Sequence, residues 1–403
     1  MASTASPPRA PRWLRIPDAY RRPSGPSIAL LFAIATFTRS VLLTVVPLQA
    51  LAYLGSAQRV SVLYLCVSLI AVAGNLGVPL LLRWLPRRAV YALGVVLQLG
   101  CVSLMATGQP VLFVCAMVSQ VLGIACAEIT LNLYLLDHIP RRELVRFEPL
   151  RVFYAGAGWA GGPWLGVWLQ QNLAGVMPFA VSALGALVMF AYFRALRLGP
   201  RAAVAPRASP PASPLRHLRR FFSQPRLALA WILAIGRSSW WTVFYVYAPI
   251  LLVRQGAPEE TCAAIVSAGN AAVFLARVWG RLAARHGVRK VLLWGYGVTG
   301  ALTLVVGLAP AVVWLLAVLL VASAIGASVI DGAGNVPFLR AVRPYERAEM
   351  LSVFMTYRDA SQLVPPATFS ALLHVMPLSS VFIVVAAWML GLVHYARYLP
   401  RRL

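Results

Sequence analysis

Two arginines and two acids lie within stretches of sequence that are otherwise apolar. Arg39 and Arg237 are 198 positions apart, and Glu128 and Asp331 are 203 positions apart. A charged side chain in hydrocarbon is costly, so such residues are rare in membrane-spanning helices and mark binding sites, proton relays or ion pairs. Their recurrence at nearly equal offsets indicates that the chain carries one arrangement of buried charges twice.

Other residues recur at similar offsets. Asn132 and Asn335 follow the two acids by four positions, which places each amide on the same helix face as its acid. Further matches at offsets of 199 to 203 are Glu143 with Glu346, Tyr154 with Tyr357, Pro163 with Pro366, and Val176-Met177-Pro178 with Val375-Met376-Pro377. Offsets this constant predict an internal duplication.

The composition requires that most of the chain lies in a membrane. Of 403 residues, 60% are hydrophobic and 12% are charged, and the mean hydropathy is +0.76. An apolar run of about 20 residues spans the ~30 Å hydrocarbon core as a helix. The sequence predicts twelve such spans, at 27–51, 60–82, 89–107, 110–137, 152–170, 176–196, 227–253, 261–282, 288–308, 311–336, 350–374 and 377–398. We therefore expect an all-α polytopic membrane protein of twelve transmembrane helices in two pseudo-symmetric six-helix halves.

Polar stretches divide the chain into parts. Proline and arginine are dense in the longest of them, which predicts a flexible linker with a short interfacial helix at 215–222. The predicted parts are an N-terminal tail (1–26), an N-terminal six-helix half (27–196), the linker (197–226), a C-terminal six-helix half (227–398) and a C-terminal tail (399–403).

The distribution of basic residues predicts the orientation. The formal net charge is +25, and 31 of the 36 Lys and Arg residues fall in segments that share one side if the spans alternate. The positive-inside rule places that side, with both termini and the linker, in the cytoplasm. The expected location is the inner (plasma) membrane, as a multi-pass protein whose basic face meets anionic lipid headgroups and not nucleic acid.

All four charges are predicted at a similar depth. At ~1.5 Å rise per residue, Arg39 and Arg237 lie about 18 Å and 15 Å from the cytoplasmic ends of their spans, and Glu128 and Asp331 lie ~13 Å from theirs. Trp241 and Tyr245 follow Arg237 by four and eight residues, so they could wall the same cavity. Such aromatic residues more commonly pack against other helices or lie at the membrane interface.

Two further motifs carry a family resemblance. The segment from Gly280 to Lys290 is similar to the G-x-L-x-D-R-x-G-R-R signature of the major facilitator superfamily, and Gly158-xxx-Gly162-Pro163 resembles the glycine-proline motif of its antiporters. Positions that match these motifs, and that the resemblance implicates in gating, are Arg87, Arg88, Gly162, Pro163, Gly280, Arg285, Gly287 and Arg289. The first-half copy of the signature, at 79–88, keeps only Arg87 and Arg88. The signature's aspartate is absent from both copies, where Arg83 and Ala284 stand instead, and the glycine-proline motif lacks its first glycine.

The resemblance implies that the first and fourth helices of each half line a central cavity. Arg39 would then face Glu128, and Arg237 would face Asp331. The substrate and proton site predicted on this basis consists of Arg39, Glu128, Asn132, Arg237, Trp241, Tyr245, Asp331 and Asn335. Arg358 and Asp359 are interpreted as a local gate or a structural salt bridge. The alternative for each buried pair is a static bond that fixes helix packing.

These patterns favour a secondary active transporter that works by alternating access, with proton-coupled efflux of a small solute as the first hypothesis. Uniport or proton symport for uptake is an alternative, and so is a transporter-shaped protein that senses a ligand or assists assembly. We expect no enzyme activity, cofactor, catalytic residue or metal site, because no nucleotide loop, nucleophile motif or histidine cluster occurs. The protein is expected to act as a monomer with protons, membrane lipids and its solute as partners.

Overall fold

The computed structural model describes residues 24–139, 144–196, 214–343 and 347–400, in which helices are the only regular secondary structure. The helices are α1 (Gly25–Ser40), α2 (Val45–Leu54), α3 (Ala57–Trp84), α4 (Arg87–Ala106), α5 (Pro110–His138), α6 (Leu144–Asn172), α7 (Met177–Ala195), α8 (Pro214–Phe222), α9 (Pro225–Arg254), α10 (Glu259–Ala271), α11 (Ala276–His286), α12 (Val288–Leu308), α13 (Val313–Ala333), α14 (Val336–Ala341), α15 (Arg347–Met355), α16 (Tyr357–Leu372) and α17 (Ser379–Ala396).

Each predicted span is occupied by helix, and the predicted all-α polytopic membrane fold is confirmed. By length and apolar composition, nine helical segments of the described residues could cross a membrane. A tenth is added if the bent pair Glu259–Leu275 and Val278–His286, at 51°, forms one span. The count of twelve stays a prediction.

Four predicted spans are not continuous helices, which corrects their sequence-based ranges. Two of the breaks precede a proline, since α2 carries Pro47 in its first turn and α14 carries Pro337. A proline ring clashes with the carbonyl four residues earlier, which favours a break before it, although Pro79 and Pro249 lie inside continuous helices. At the third break, between α15 and α16, the Thr356 hydroxyl donates to the Val353 carbonyl at 2.7 Å, a bond that bends helices. The fourth break is a 3-10 turn at Ala272–Leu275 between α10 and α11.

Helix α6 packs closely against α1 through its glycines. A Cβ added to Gly162 would lie 2.6 Å from Ser40 Cβ and 2.8 Å from the Ser40 carbonyl carbon, and one added to Gly158 would lie 3.1 Å from the Phe37 nitrogen. Small residues permit such approach between helices in membranes. The glycine-proline motif therefore places the backbone of α6 against the residues of α1 that flank Arg39.

We call α1–α7 the first-half helices and α9–α17 the second-half helices. We call the end of the molecule at which α1 begins the basic face. The opposite end, where α2 leads into α3, is the far face. Helices α6 and α10 pack together across the two halves, as do α3 and α16. At the far face, side chains join the two halves in these pairs: Arg254 with the Gly55 carbonyl, Gln58 with His374, Gln171 with Glu259, and Asn172 with Glu260.

Several predicted features lie outside the described residues. These are residues 1–23 of the N-terminal tail, 197–213 of the linker, 401–403 of the C-terminal tail, and the repeat pair Glu143 and Glu346. Helix α8 occupies the part of the linker in which a short helix is predicted.

Candidate functional site

The first-half charges form an ion pair. Arg39, at the end of α1, donates from Nη1 to Oε2 of Glu128 on α5 at 2.9 Å, and the two side chains keep 25% and 34% of their surface accessible. Arg151 and Arg358 also lie within electrostatic reach of the Glu128 carboxylate. Glu128 therefore has one arginine in contact and two more within electrostatic reach, one of them from a second-half helix.

A recess extends from Arg39 into the first half. It lies between α1, α4, α5 and α7 and has room for about one water molecule, and its polar lining includes Thr38, Gln98, Gln120 and Ser182. Within the described residues, Nε of Arg39 and Oε1 of Gln98 are buried without a hydrogen-bond partner. The recess thus offers one donor and one acceptor that are free to bind a polar group.

The second-half charges form a second ion pair with a different exposure. Nε of Arg237 on α9 lies 3.3 Å from Oδ1 of Asp331 on α13, and the accessible fractions of the two side chains are 7% and 39%. The Trp241 indole donates to the other carboxylate oxygen of Asp331 at 2.8 Å. The arginine is therefore buried behind an acid that remains accessible.

Arg237 has other partners besides the acid. Its Nη2 donates to Oδ1 of Asn335 at 3.2 Å and to the Tyr357 hydroxyl at 3.2 Å, and its guanidinium lies 5.5 Å from the centre of the Tyr357 ring. The same hydroxyl lies 3.5 Å from Nε of Arg358 as an acceptor. Tyr357 thus connects the second ion pair to the arginine that approaches Glu128.

Three aromatic rings continue the surface beside Asp331. Trp241 and Tyr245 stack with their ring centres 5.6 Å apart. Tyr245 stacks in turn on Trp159 of α6, at 5.9 Å and with the planes 11° apart. The Tyr245 hydroxyl donates to Oδ1 of Asn270 at 2.8 Å. This aromatic wall, formed by Trp159, Tyr245 and Trp241, joins a first-half helix to the acid of the second half.

The remaining predicted site residues have separate positions. Asn132 lies one turn beyond Glu128 and is half-buried, and its side chain makes no hydrogen bond within the described part of the chain. Asn335 is not on the helix of Asp331, since α13 ends at Ala333, yet it reaches the same arginine. Asp359 accepts a hydrogen bond from Nδ2 of Asn75 on α3 at 2.9 Å, which joins the two halves.

The predicted gating residues on the basic face lie away from the ion pairs. Arg87 and Arg88 begin α4, and Arg285 and Arg289 flank the turn between α11 and α12. In that turn Gly287 has a φ of 85°, a conformation that favours glycine. Gly280 has open space around it. Pro163 is buried within α6, next to the glycine that contacts Ser40.

The sequence-based site omitted several polar and aromatic residues that the structure brings to it. These are Asn75, Gln98, Gln120, Trp159 and Asn270. An amide within an apolar span is itself a signal, because a polar group in hydrocarbon needs a partner. Trp159 carries no such signal, since tryptophan is common in membrane helices.

No model of a known protein family matches this sequence, and no curated protein matches it. Solved structures do match its fold. The nucleoside transporter NupG has a TM-score of 0.68 at 15% identity, over 92% of this chain and 98% of that one. An inward-facing bacterial homologue of the iron transporter ferroportin has a TM-score of 0.66 at 17% identity, over 93% and 97%. A POT family transporter in complex with a thioalcohol-conjugated peptide has a TM-score of 0.70 at 13% identity, over 91% and 94%.

Proposed function

We propose that this chain, which has the fold of major facilitator transporters, is a secondary active transporter that moves a small solute by alternating access. The observation that carries the proposal is the presence of two ion pairs inside the molecule whose carboxylates remain accessible, at 34% for Glu128 and 39% for Asp331. A pair with a purely structural role is better served by full burial and complete hydrogen bonding.

The helix breaks support the same proposal. Turns follow Arg39 directly, separate Asp331 from Asn335 and precede Tyr357. Non-helical backbone at membrane depth is tolerated where it is buried in protein or lines a cavity, and interrupted helices form the binding sites of many transporters. A scaffold that only holds another protein has no need for interruptions at its charged residues.

The contacts between the halves fit a molecule that is closed at the far face. Arg254 reaches the Gly55 carbonyl, and the amide of Asn172 lies 2.6 Å from the Glu260 carboxylate. Alternating access requires that such contacts break when the other face closes. Each bond here is between exposed polar groups, which water can replace at little cost.

We further propose that Glu128 exchanges protons and that the direction is efflux. Protonation of Glu128 would remove its attraction to Arg39, and to Arg358 from the other half, so its charge state would bias the relative position of the halves. The partial glycine-proline motif in α6 favours exchange over uptake. Symport, uniport and a ligand-sensing role are the alternatives, and the transporter is proposed to act as a monomer in the inner membrane with cytoplasmic termini.

The test measures the movement of the halves without knowledge of the solute. Spin labels at Thr107 and Ala311, on the far-face loops of the two halves, report the distance between them after the native cysteines are replaced. We expect the distance distribution to differ between acidic and neutral pH in the otherwise unaltered protein. The same difference is expected in the control Asp18→Asn, which neutralises an acid of the predicted N-terminal tail. In Glu128→Gln we expect one distribution at both pH values. An identical response of Glu128→Gln and the parent would refute the proton role, and a single distance under all conditions would refute alternating access.

A further inference from the structure

The unequal exposure of the second ion pair sets the charge that a solute meets next to Asp331. Arg237 is 7% accessible and Asp331 is 39% accessible, so the pair is a dipole whose negative end is the accessible one. Asp331 uses one oxygen for Arg237 and the other for Trp241, and a carboxylate can accept about four hydrogen bonds. Acceptor capacity therefore remains on the side that a solute can approach.

The aromatic wall next to this carboxylate adds attraction for positive charge. Trp241 and Tyr245 are half-buried and stacked, and Trp159 continues the wall into the first half. The faces of aromatic rings are negative and attract cations, most strongly where water is excluded. They also provide stacking surface for a flat apolar group.

The buried Arg237 has hydrogen-bond acceptors other than Asp331. Arg237 also donates to Asn335 and Tyr357 and lies over the Tyr357 ring. If a cation draws the carboxylate away, the guanidinium keeps these two acceptors. When Asp331 pairs with a solute, the guanidinium thus keeps two hydrogen bonds to neutral acceptors, which lowers the cost of losing its carboxylate partner.

We propose that the solute is an organic cation with an aromatic part, bound by Asp331 with its rings against Trp241, Tyr245 and Trp159. This inference rests on the proposed transport function and names the substrate class of the same site.

The test uses two probes of nearly equal shape and opposite charge. Binding of tetraphenylphosphonium and of tetraphenylborate to the full-length purified protein is measured by calorimetry, with quenching of tryptophan fluorescence as a second readout. We expect saturable binding of the cation and none of the anion at the same site. In Asp331→Asn, which keeps an acceptor for Trp241, the cation should bind on the order of tenfold more weakly or worse.

Two other variants show whether weaker cation binding reflects the site or a loss of folding. Trp159→Leu should weaken cation binding without altering any charge. Trp314→Phe, on the same helix as Asp331 but 74% exposed, should bind the cation like the parent protein. Anion binding as tight as cation binding, or unchanged cation affinity in both Asp331→Asn and Trp159→Leu, would overturn the proposal.

The spin-label distances separate this proposal from the one on which it rests. If the cation does not bind while the distance still responds to pH, the substrate class is wrong and alternating access stands. If the cation binds through Asp331 while the distance never changes, the cation site stands and alternating access is refuted.

Discussion

The contact between α1 and α6 predicts opposite outcomes for two adjacent glycines. Gly162→Ala places a methyl group 2.8 Å from the Ser40 carbonyl carbon, closer than two such atoms can approach, whereas Gly161→Ala meets nothing within 4 Å. Overpacking of this kind costs ~1–3 kcal/mol. Replacing a helical glycine by alanine also gains up to about 1 kcal/mol of helix propensity, but both variants share that gain. Gly162→Ala is therefore expected to be ~1–3 kcal/mol less stable than Gly161→Ala.

A third glycine on the same helix gives an intermediate case. A Cβ on Gly158 would lie 3.1 Å from the Phe37 nitrogen, which needs a shift of only a few tenths of an ångström. The expected order of stability is Gly161→Ala, then Gly158→Ala, then Gly162→Ala. The assay is thermal unfolding of the purified proteins in one detergent, followed by intrinsic fluorescence.

The same substitution should also affect the site. Ser40 directly follows Arg39, so a displacement of α1 by the new methyl group moves Arg39 relative to Glu128, whose atoms are now 2.9 Å apart. We expect Gly162→Ala to weaken the pH response of the distance between the halves, and Gly161→Ala to retain it. If Gly162→Ala matched Gly161→Ala in stability, the close approach of α1 and α6 would be refuted, and with it the packing role of this motif.

Three further variants test other contacts. Asn75→Ala removes the hydrogen bond to the Asp359 carboxylate between the halves, which is worth ~1.5–3 kcal/mol, and should shift the spin-label distance distribution toward the alternative state. Tyr357→Phe leaves two arginines without their shared acceptor and should lower stability by ~1–3 kcal/mol, measured as the melting temperature. Gly287→Ala forces alanine to a φ of 85° and should cost ~1–3 kcal/mol in the same assay, whereas Gly280→Ala, in open space, should cost less.

The spans were the most predictable part of this fold. Insertion in a bilayer depends on the length and polarity of each apolar run, and both can be read along the chain. The helix breaks were not predicted, because the hydropathy of an apolar run carries no information about its backbone geometry. Pro47 and Pro337 nevertheless carried the information, since each excludes a helical hydrogen bond in the middle of an apolar stretch.

The ion pairs were predictable because the duplication made them conspicuous. Arg39 with Glu128 and Arg237 with Asp331 occur as pairs in the structure, as the family resemblance implied. Their unequal exposure was not predictable, because it depends on which side chains pack around each arginine. The stacking of Trp159 on Tyr245 was beyond prediction for a related reason, since it joins helices from different halves that no sequence spacing relates.

One difference between the two copies of the duplication bears on the movement of the halves. It lies where α6 and α16 contact the opposite half. At an offset of 203, Tyr357-Arg358-Asp359 corresponds to Tyr154-Ala155-Gly156. A Cβ on Gly156 would lie 2.9 Å from a Val273 methyl carbon of the second half, so this contact is smooth and apolar. Its counterpart Asp359 instead forms a hydrogen bond to the first half. Helices can slide along a smooth contact at little cost. The hydrogen bond to Asp359 must break before the helices move, and its free energy depends on the charge of the carboxylate. The duplicated contacts at these corresponding positions have thus become unequal, and there charge can influence the movement of the halves only through α16, which also carries the arginine that approaches Glu128.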